Sequence, residues 1–164
     1  MELQWVTVDA FDVRGISVTT DNACEMGAEP KIPHLWERFH NRKIWTINAG
    51  DTAPVVYGVY HRYEEGVNGS YRVLAGCPSD HVKMAEGIEE LHIPVSTYAV
   101  FTSNKGPISR VVPETWMKIW EWFQQTDQIH RSFLYDFERY DGRACNPEQA
   151  IVEIYIGVDQ PAVL

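Results

Sequence analysis

The order strand, helix, strand, turn, strand runs twice through the 164-residue chain, and this duplication limits the fold more than any other feature. Leu35-Trp36-Glu37-Arg38-Phe39 matches Ile119-Trp120-Glu121-Trp122-Phe123 at an offset of 84. His61-Arg62-Tyr63 matches Glu138-Arg139-Tyr140 at an offset of 77, and the last strands of the two halves end at Gly76 and Gly157. Three matches in one order, at offsets that differ only by loop lengths, mark a repeated unit. A βαββ unit buries one face of its sheet under one helix. Two such units, at approximately residues 1–80 and 93–160, predict an α+β fold. Joined through edge strands, they give a mostly antiparallel sheet with both helices on one face and a central groove near the pseudo-two-fold axis. The length corresponds to a single domain, 1–164.

β-Branched residues mixed with polar ones from Gln4 to Thr20 predict a half-buried strand, with a bulge or break at Arg14-Gly15. Pro30 and Pro33 introduce a short helix from about Lys31 to Asn41 that buries Ile32, Leu35, Trp36 and Phe39. Val55 to Tyr63 and Tyr71 to Cys77 read as strands around a Gly-containing turn. Ser79 to Leu91 reads as an acidic connector with a turn of helix, and Pro94 to Phe101 as another strand. Pro113-Glu114-Thr115 predicts the opening of the clearest helix, whose Trp116, Ile119, Trp120 and Phe123 recur at i, i+3, i+4 and i+7. Phe133 to Tyr140 and Ala150 to Val158 complete the second unit as strands.

Composition removes several functions. With 14 basic and 23 acidic residues the net charge is −9, and such a chain lacks the lysines and arginines that release counterions from nucleic acid, so no direct nucleic-acid binding is expected. The longest nearly unbroken apolar stretch, Ala53 to Tyr60, is far shorter than the roughly 20 residues that span a bilayer. Met1-Glu2-Leu3-Gln4 lacks the basic start and apolar run of a secretory signal, which reads as cytoplasmic. Cys24, Cys77 and Cys145 form no CxxC pair, and the six histidines show no metal-ligand spacing. Neither a metal nor a cofactor is expected.

Six Trp, eight Tyr and six Phe are an unusual load for an acidic chain, and aromatic rings line small-molecule pockets as well as cores. Alternation along Phe133 to Tyr140 puts Leu134, Asp136, Glu138 and Tyr140 on one face. If that face meets the groove, Glu138 is an anion among the rings of Trp36, Tyr57, Tyr60, Trp120 and Tyr155. Burying a carboxylate is costly unless it is paired, and aromatic walls attract cations, so such a site suits lipophilic or aromatic cations. Two alternatives stay open: Glu138 faces solvent beside Arg62 or Arg139, or Glu153 in the last strand is the groove acid.

The order of Thr97-Tyr98-Ala99-Val100-Phe101-Thr102, Lys105-Gly106-Pro107, the Trp116 to Phe123 helix, Phe137-Glu138-Arg139-Tyr140 and Val152-Glu153-Ile154-Tyr155-Ile156 resembles the GyrI-like family. These are the effector-binding domains of AraC-type and MerR-type multidrug regulators, found also as stand-alone proteins. The resemblance spans essentially the whole chain and is strongest from Pro94 onward. It implies the duplicated βαββ sheet and places Glu138 at the position of a buried ligand-binding glutamate that meets cationic, aromatic drugs or dyes. No DNA-reading segment precedes the domain in this sequence, so a stand-alone binding protein, acting alone, with a protein partner or as a homodimer, is the expectation. The resemblance leaves two alternatives: a hydrolase of electrophilic, cyclopropane-bearing compounds in which Glu138 activates water with help from Tyr60 or Tyr155, and a gyrase-inhibitor-like interaction protein. The related haem-binding version of this fold would require an axial His, and none of the six has distinguishing context.

Overall fold

The computed structural model describes residues 3–45 and 54–159. The rest of the expected domain, residues 1–2, 46–53 and 160–164, lies outside that description. The described residues form eight strands: β1 (Leu3–Val8), β2 (Phe11–Asp21), β3 (Val56–His61), β4 (Ser70–Pro78), β5 (Glu89–Ile93), β6 (Ser96–Thr102), β7 (Arg131–Tyr140) and β8 (Glu153–Val158). They build one sheet in the order β1-β6-β8-β7-β3-β4-β2-β5, with every named pairing antiparallel. The helices are α1 (Asn22–Glu25), α2 (Lys31–Arg42) and α3 (Ile108–Gln125).

The duplication is visible in that order. Exchanging β1 with β5, β2 with β6, β3 with β7 and β4 with β8 reverses the sheet onto itself, so the pseudo-two-fold axis passes between β3 and β7. Each unit carries one more strand than the sequence predicts. The leading strand crosses to the other half, β1 pairing with β6 and β5 with β2, so each unit closes the outer edge of its twin. The residues of β5 read as a connector because Glu89, Glu90 and His92 give a short edge strand the polarity of a loop.

Three local expectations change. The break in the first strand falls at Asp9-Ala10, whereas Gly15 stays inside β2 and pairs with both Gly76 and Glu89. A Cβ at Gly15 would lie 1.9 Å from the Ala75 carbonyl oxygen, so this glycine permits a close approach of backbones. Helix α3 begins at Ile108, one turn and more before Pro113, which sits inside it. Pro107 holds φ −59° at the N-cap, and its carbonyl accepts from the amides of Arg110 and Val111. The last strand is shorter than Ala150 to Val158, although Ala150 bridges Gly106 and Val152 bonds Ser103 ahead of it.

Helices α2 and α3 cover the same face. Leu35 and Phe39 of α2 bury against Val73, Ala75 and Cys77, while Ile119 of α3 buries against Phe101, Ile154 and Ile156. The opposite face makes its own core from strands alone, with Val13, Val59, Ile93 and Tyr98 fully buried. Phe11 of β2 meets Phe137 of β7 at a ring separation of 5.5 Å across two intervening strands. Strands about 4.8 Å apart in a flat sheet would hold these rings much farther apart, so the sheet curls around this second core.

The ladder also corrects the repeat alignment. Tyr60 pairs with Val73, three residues before Gly76, and Glu138 pairs with Ile154, three before Gly157. Tyr60 is therefore the counterpart of Glu138. His61, matched to Glu138 by sequence, lies on the opposite face, stacked 6.1 Å from the Tyr135 ring.

Candidate functional site

A cavity of about 560 Å³ straddles the pseudo-two-fold axis on the helix-covered face. Ile32, Pro33 and Trp36 of α2 and Trp116, Met117 and Trp120 of α3 line it at equivalent positions of the two units. Tyr60, Tyr63, Glu138 and Tyr140 form its sheet side, and Asn22, Glu25, Met26, Gly66 and Val67 approach from α1 and the β3–β4 turn. The lining is predominantly apolar and aromatic, as suits an organic ligand.

Glu138 is 2% exposed. Gly58 stands directly opposite it on β3, and a Cβ there would lie 2.9 Å from the Trp36 ring and 3.1 Å from Glu138 Oε1. The absent side chain leaves room for the carboxylate and the indole to share one place. Oε2 accepts from the Tyr60 hydroxyl at 2.7 Å and from Trp116 Nε1 at 2.7 Å, and Oε1 accepts from the Tyr140 hydroxyl at 2.6 Å. All three donors are neutral, and no lysine or arginine forms an ion pair with Glu138 among the described residues.

Burial pushes the Glu138 carboxyl above its ordinary range, while the bonds from Tyr140, Trp116 and Tyr60 oppose the rise. The same burial and the Glu138 charge raise the Tyr60 and Tyr140 phenols well above 10, so both remain protonated donors. The rings form a cage around the acid: Tyr60 lies 5.0 Å from Trp116, and Trp36 lies 5.3 Å from Tyr140, both edge-on.

The structure thus brings together Glu138, Trp36, Tyr60 and Trp120. It does not bring Tyr57 and Tyr155 to them. Tyr57 precedes Gly58 and so points the other way, packing 5.3 Å from Phe11, and Tyr155 pairs with Phe137 and stacks on it at 4.5 Å in the opposite core. Glu153 also lies away from the cavity, opposite Arg139 in the ladder and bridged to Arg139 and Arg143 at 3.6 and 3.2 Å. Arg139 pairs with Asp141 as well, at 2.9 Å, so neither of the other arrangements considered for Glu138 is present. Two partners of the acid went unnamed at the sequence level, Trp116 and Tyr140. Both carried a signal: Trp116 stands one helical turn before Trp120, and Tyr140 shares the strand face of Glu138.

A second cavity, about 740 Å³, lies between α2 and the start of β5, beside Arg38, Arg42, Arg72 and Glu89. It is an open groove in which Arg72 and Glu89 pair at 2.7 Å, with both side chains partly exposed. Among the described residues, no group of three or more His, Cys, Asp or Glu could hold a metal ion, and no helix is long and apolar enough to cross a membrane.

Residues 4–158 match a family described as Cass2, integron-associated effector binding protein. A protein of Bacillus subtilis (strain 168) that carries the name of a transcriptional regulator, YobU, is 37% identical over 147 residues, covering 88% of this chain and 89% of that one. The integron cassette protein VCH_CASS2 from the mobile metagenome of Vibrio cholerae has a solved structure with a TM-score of 0.77 at 26% identity, covering 96% of this chain and 95% of that one. The structure of SAV2435 bound to tetraphenylphosphonium superposes with a TM-score of 0.70 at 20% identity, covering 97% and 94% of the two chains, and shows a shared fold. These matches uphold the GyrI-like resemblance of the sequence.

Proposed function

We infer the ligand from the cavity and from kinship: this chain belongs to the Cass2 family of integron-associated effector binding proteins, and it is a small-molecule-binding protein. We propose that its effector is a lipophilic or aromatic organic cation, held by the charge of Glu138 and by the rings of Trp36, Tyr60, Trp116, Trp120 and Tyr140. The observation that carries the reading is a carboxylate 2% exposed with three neutral donors and no cationic partner among the described residues. An ionised group in such a place costs several kcal/mol. The three donors offset part of that cost and fix the carboxylate's orientation, and an incoming cation supplies the missing charge. Each ring that the cation faces adds about 0.5–2 kcal/mol. The walls are largely apolar and non-directional, which suits compounds of varied shape, while the buried acid at the sheet side demands positive charge. The binding of tetraphenylphosphonium by SAV2435, a protein of the same fold, is in keeping with this reading.

Titration with tetraphenylphosphonium, followed by tryptophan fluorescence, tests it. The parent protein should bind, and Glu138→Gln should bind at least about 30-fold more weakly, since loss of a desolvated charge partner costs about 2–5 kcal/mol. Equal affinity in the two proteins would refute the reading.

A further inference from the structure

The mouth of the Glu138 cavity is apolar where water reaches it. Among the described residues seven large apolar side chains are exposed, and three of them, Met26 at 80%, Val67 at 46% and Met117 at 58%, line this one opening. A single exposed apolar residue is ordinary, but a group of them around a cavity marks a surface that a ligand covers.

Both sides of this rim are fastened to the cage around the acid by short chains of contact. On α3, Trp116 donates to Glu138 at 2.7 Å, and Met117 is the next residue, with Pro113 one turn before it, also exposed and also on the lining. On the other side, the Tyr60 ring, whose hydroxyl donates to Glu138, lies 5.8 Å from the Tyr71 ring. The Tyr71 hydroxyl donates to Asn22 Oδ1 at 2.9 Å, and Asn22 holds both rim residues of that side. Its side-chain amide donates to the Val67 carbonyl at 3.0 Å, and its backbone carbonyl accepts from the Met26 amide at 3.0 Å. Met26 is therefore displayed on a hydrogen-bonded helix end and not on a loose loop. Two other charged groups of the lining are already engaged: Glu25 accepts from the amides of Lys31 and Ile32 at 3.0 Å, and Arg131 pairs with Asp136 at 2.7 Å. The acid thus lies at the buried floor and the uncovered apolar surface at the mouth. A ligand whose charge reaches Glu138 must carry the rest of its body outward past that rim.

We propose that the effector is an amphiphilic cation bound head first, its charge at Glu138 and an alkyl chain leaving through the mouth across Met26, Val67 and Met117, and that these three side chains set a preference for long chains. The unbranched, polarizable side chain of methionine adapts well to such a chain. This rests on the reading of Glu138 as the cation's counter-charge. The test compares benzyltrimethylammonium with its homologue in which one N-methyl group is replaced by a dodecyl chain, each at concentrations where it stays monomeric. A methylene fully removed from water is worth about fourfold, so even partial cover of the chain should make the parent bind the dodecyl ion at least about 100-fold more tightly. The triple variant Met26→Gln, Val67→Thr, Met117→Gln keeps side-chain size at three exposed positions, and should cut that ratio about tenfold. Glu138→Gln should weaken both ligands and leave the ratio as it is. In the parent, the methyl resonances of Met26 and Met117 should move with the dodecyl ion well beyond any movement with benzyltrimethylammonium. A ratio near one in the parent, a ratio unchanged in the triple variant, or methyl resonances that do not respond to the chain would overturn the proposal while leaving Glu138's role intact. Failure of the parent to bind either ion, or binding of both that is indifferent to Glu138→Gln, would refute the Glu138 reading and this inference with it.

Discussion

Tyr60 and Glu138 occupy the same place in the two halves of a duplicated sheet, and the hydroxyl of one donates to the carboxylate of the other at 2.7 Å. Two glutamates at these positions would repel each other, and two tyrosines would leave no charge. The difference between the halves at this position creates an anion with its own donor between two walls built from equivalent helix positions, Trp36 corresponding to Trp120 and Ile32 to Trp116.

Glu138→Gln should fold, and at neutral pH without ligand it should be at least as stable as the parent. The amide oxygen can accept from both Tyr60 and Trp116, and the amide nitrogen can donate to the Tyr140 hydroxyl, which is able to accept. Because the folded-state pKa of Glu138 is raised, its ionisation on going to neutral pH opposes folding, and the amide removes that penalty. Thermal unfolding of both proteins at pH 7 and in mild acid checks this: the parent's deficit should shrink as the pH falls and Glu138 takes up its proton.

Gly58→Ala should disturb the site without removing a polar group. Its Cβ would intrude to 2.9 Å from Trp36 and 3.1 Å from Glu138. Overpacking of this kind costs about 1–3 kcal/mol. The measurable result is a lower melting temperature, together with weaker cation binding and altered tryptophan emission as the Trp36 ring is displaced.

Much of this architecture was legible in the sequence because it depends on period and order. The period-two alternation of β7 put Asp136, Glu138 and Tyr140 on one face, and the spacing of Trp116 and Trp120 put them on one side of α3. What was not legible came from tertiary pairing. Only the ladder shows that Glu138 corresponds to Tyr60 and not to His61, since a slip of one residue exchanges the faces of a strand. Tyr57 and Tyr155 went to the wrong side of the sheet because aromatic content was read without that alternation. The second core into which they pack exists because the sheet curls, a property of the whole sheet that no single segment reveals. The burial of Arg131 against Asp136 accompanies a register shift between the two residues, inside which Phe133 takes a left-handed conformation that has no signature in its residue type.

Asp136→Asn should be severely destabilising. It leaves the Arg131 guanidinium buried beside a neutral partner, and breaking one side of a buried ion pair costs about 3–5 kcal/mol. Chemical denaturation should show the loss in midpoint, and Arg131→Ala should show a loss of similar size through the stranded Asp136.

His61 should make the fold sensitive to acid independently of ligand. Its side chain is buried, and burial, followed by the charges of Arg62 and Arg72, lowers its pKa from 6.5 to about 4, with Glu89 opposing. Between these values the unfolded chain binds a proton that the folded protein does not, so stability falls as the pH drops through that window, by up to about 1.4 kcal/mol per pH unit. His61→Phe removes the group and the unpartnered Nε2, and its unfolding free energy should vary less with pH over the same range.

The most direct test of the central claim is the pH dependence of the dissociation constant for tetraphenylphosphonium, a permanent cation that does not itself titrate. Glu138 must be ionised to hold it, and burial raises the pH at which ionisation is complete. Affinity should therefore weaken on acidification with a midpoint above the usual carboxylate range of about 4 to 4.5, and the dependence should vanish in Glu138→Gln. A parent affinity that stays constant from about pH 8 down through the carboxylate range would contradict the assignment of Glu138 as the counter-charge.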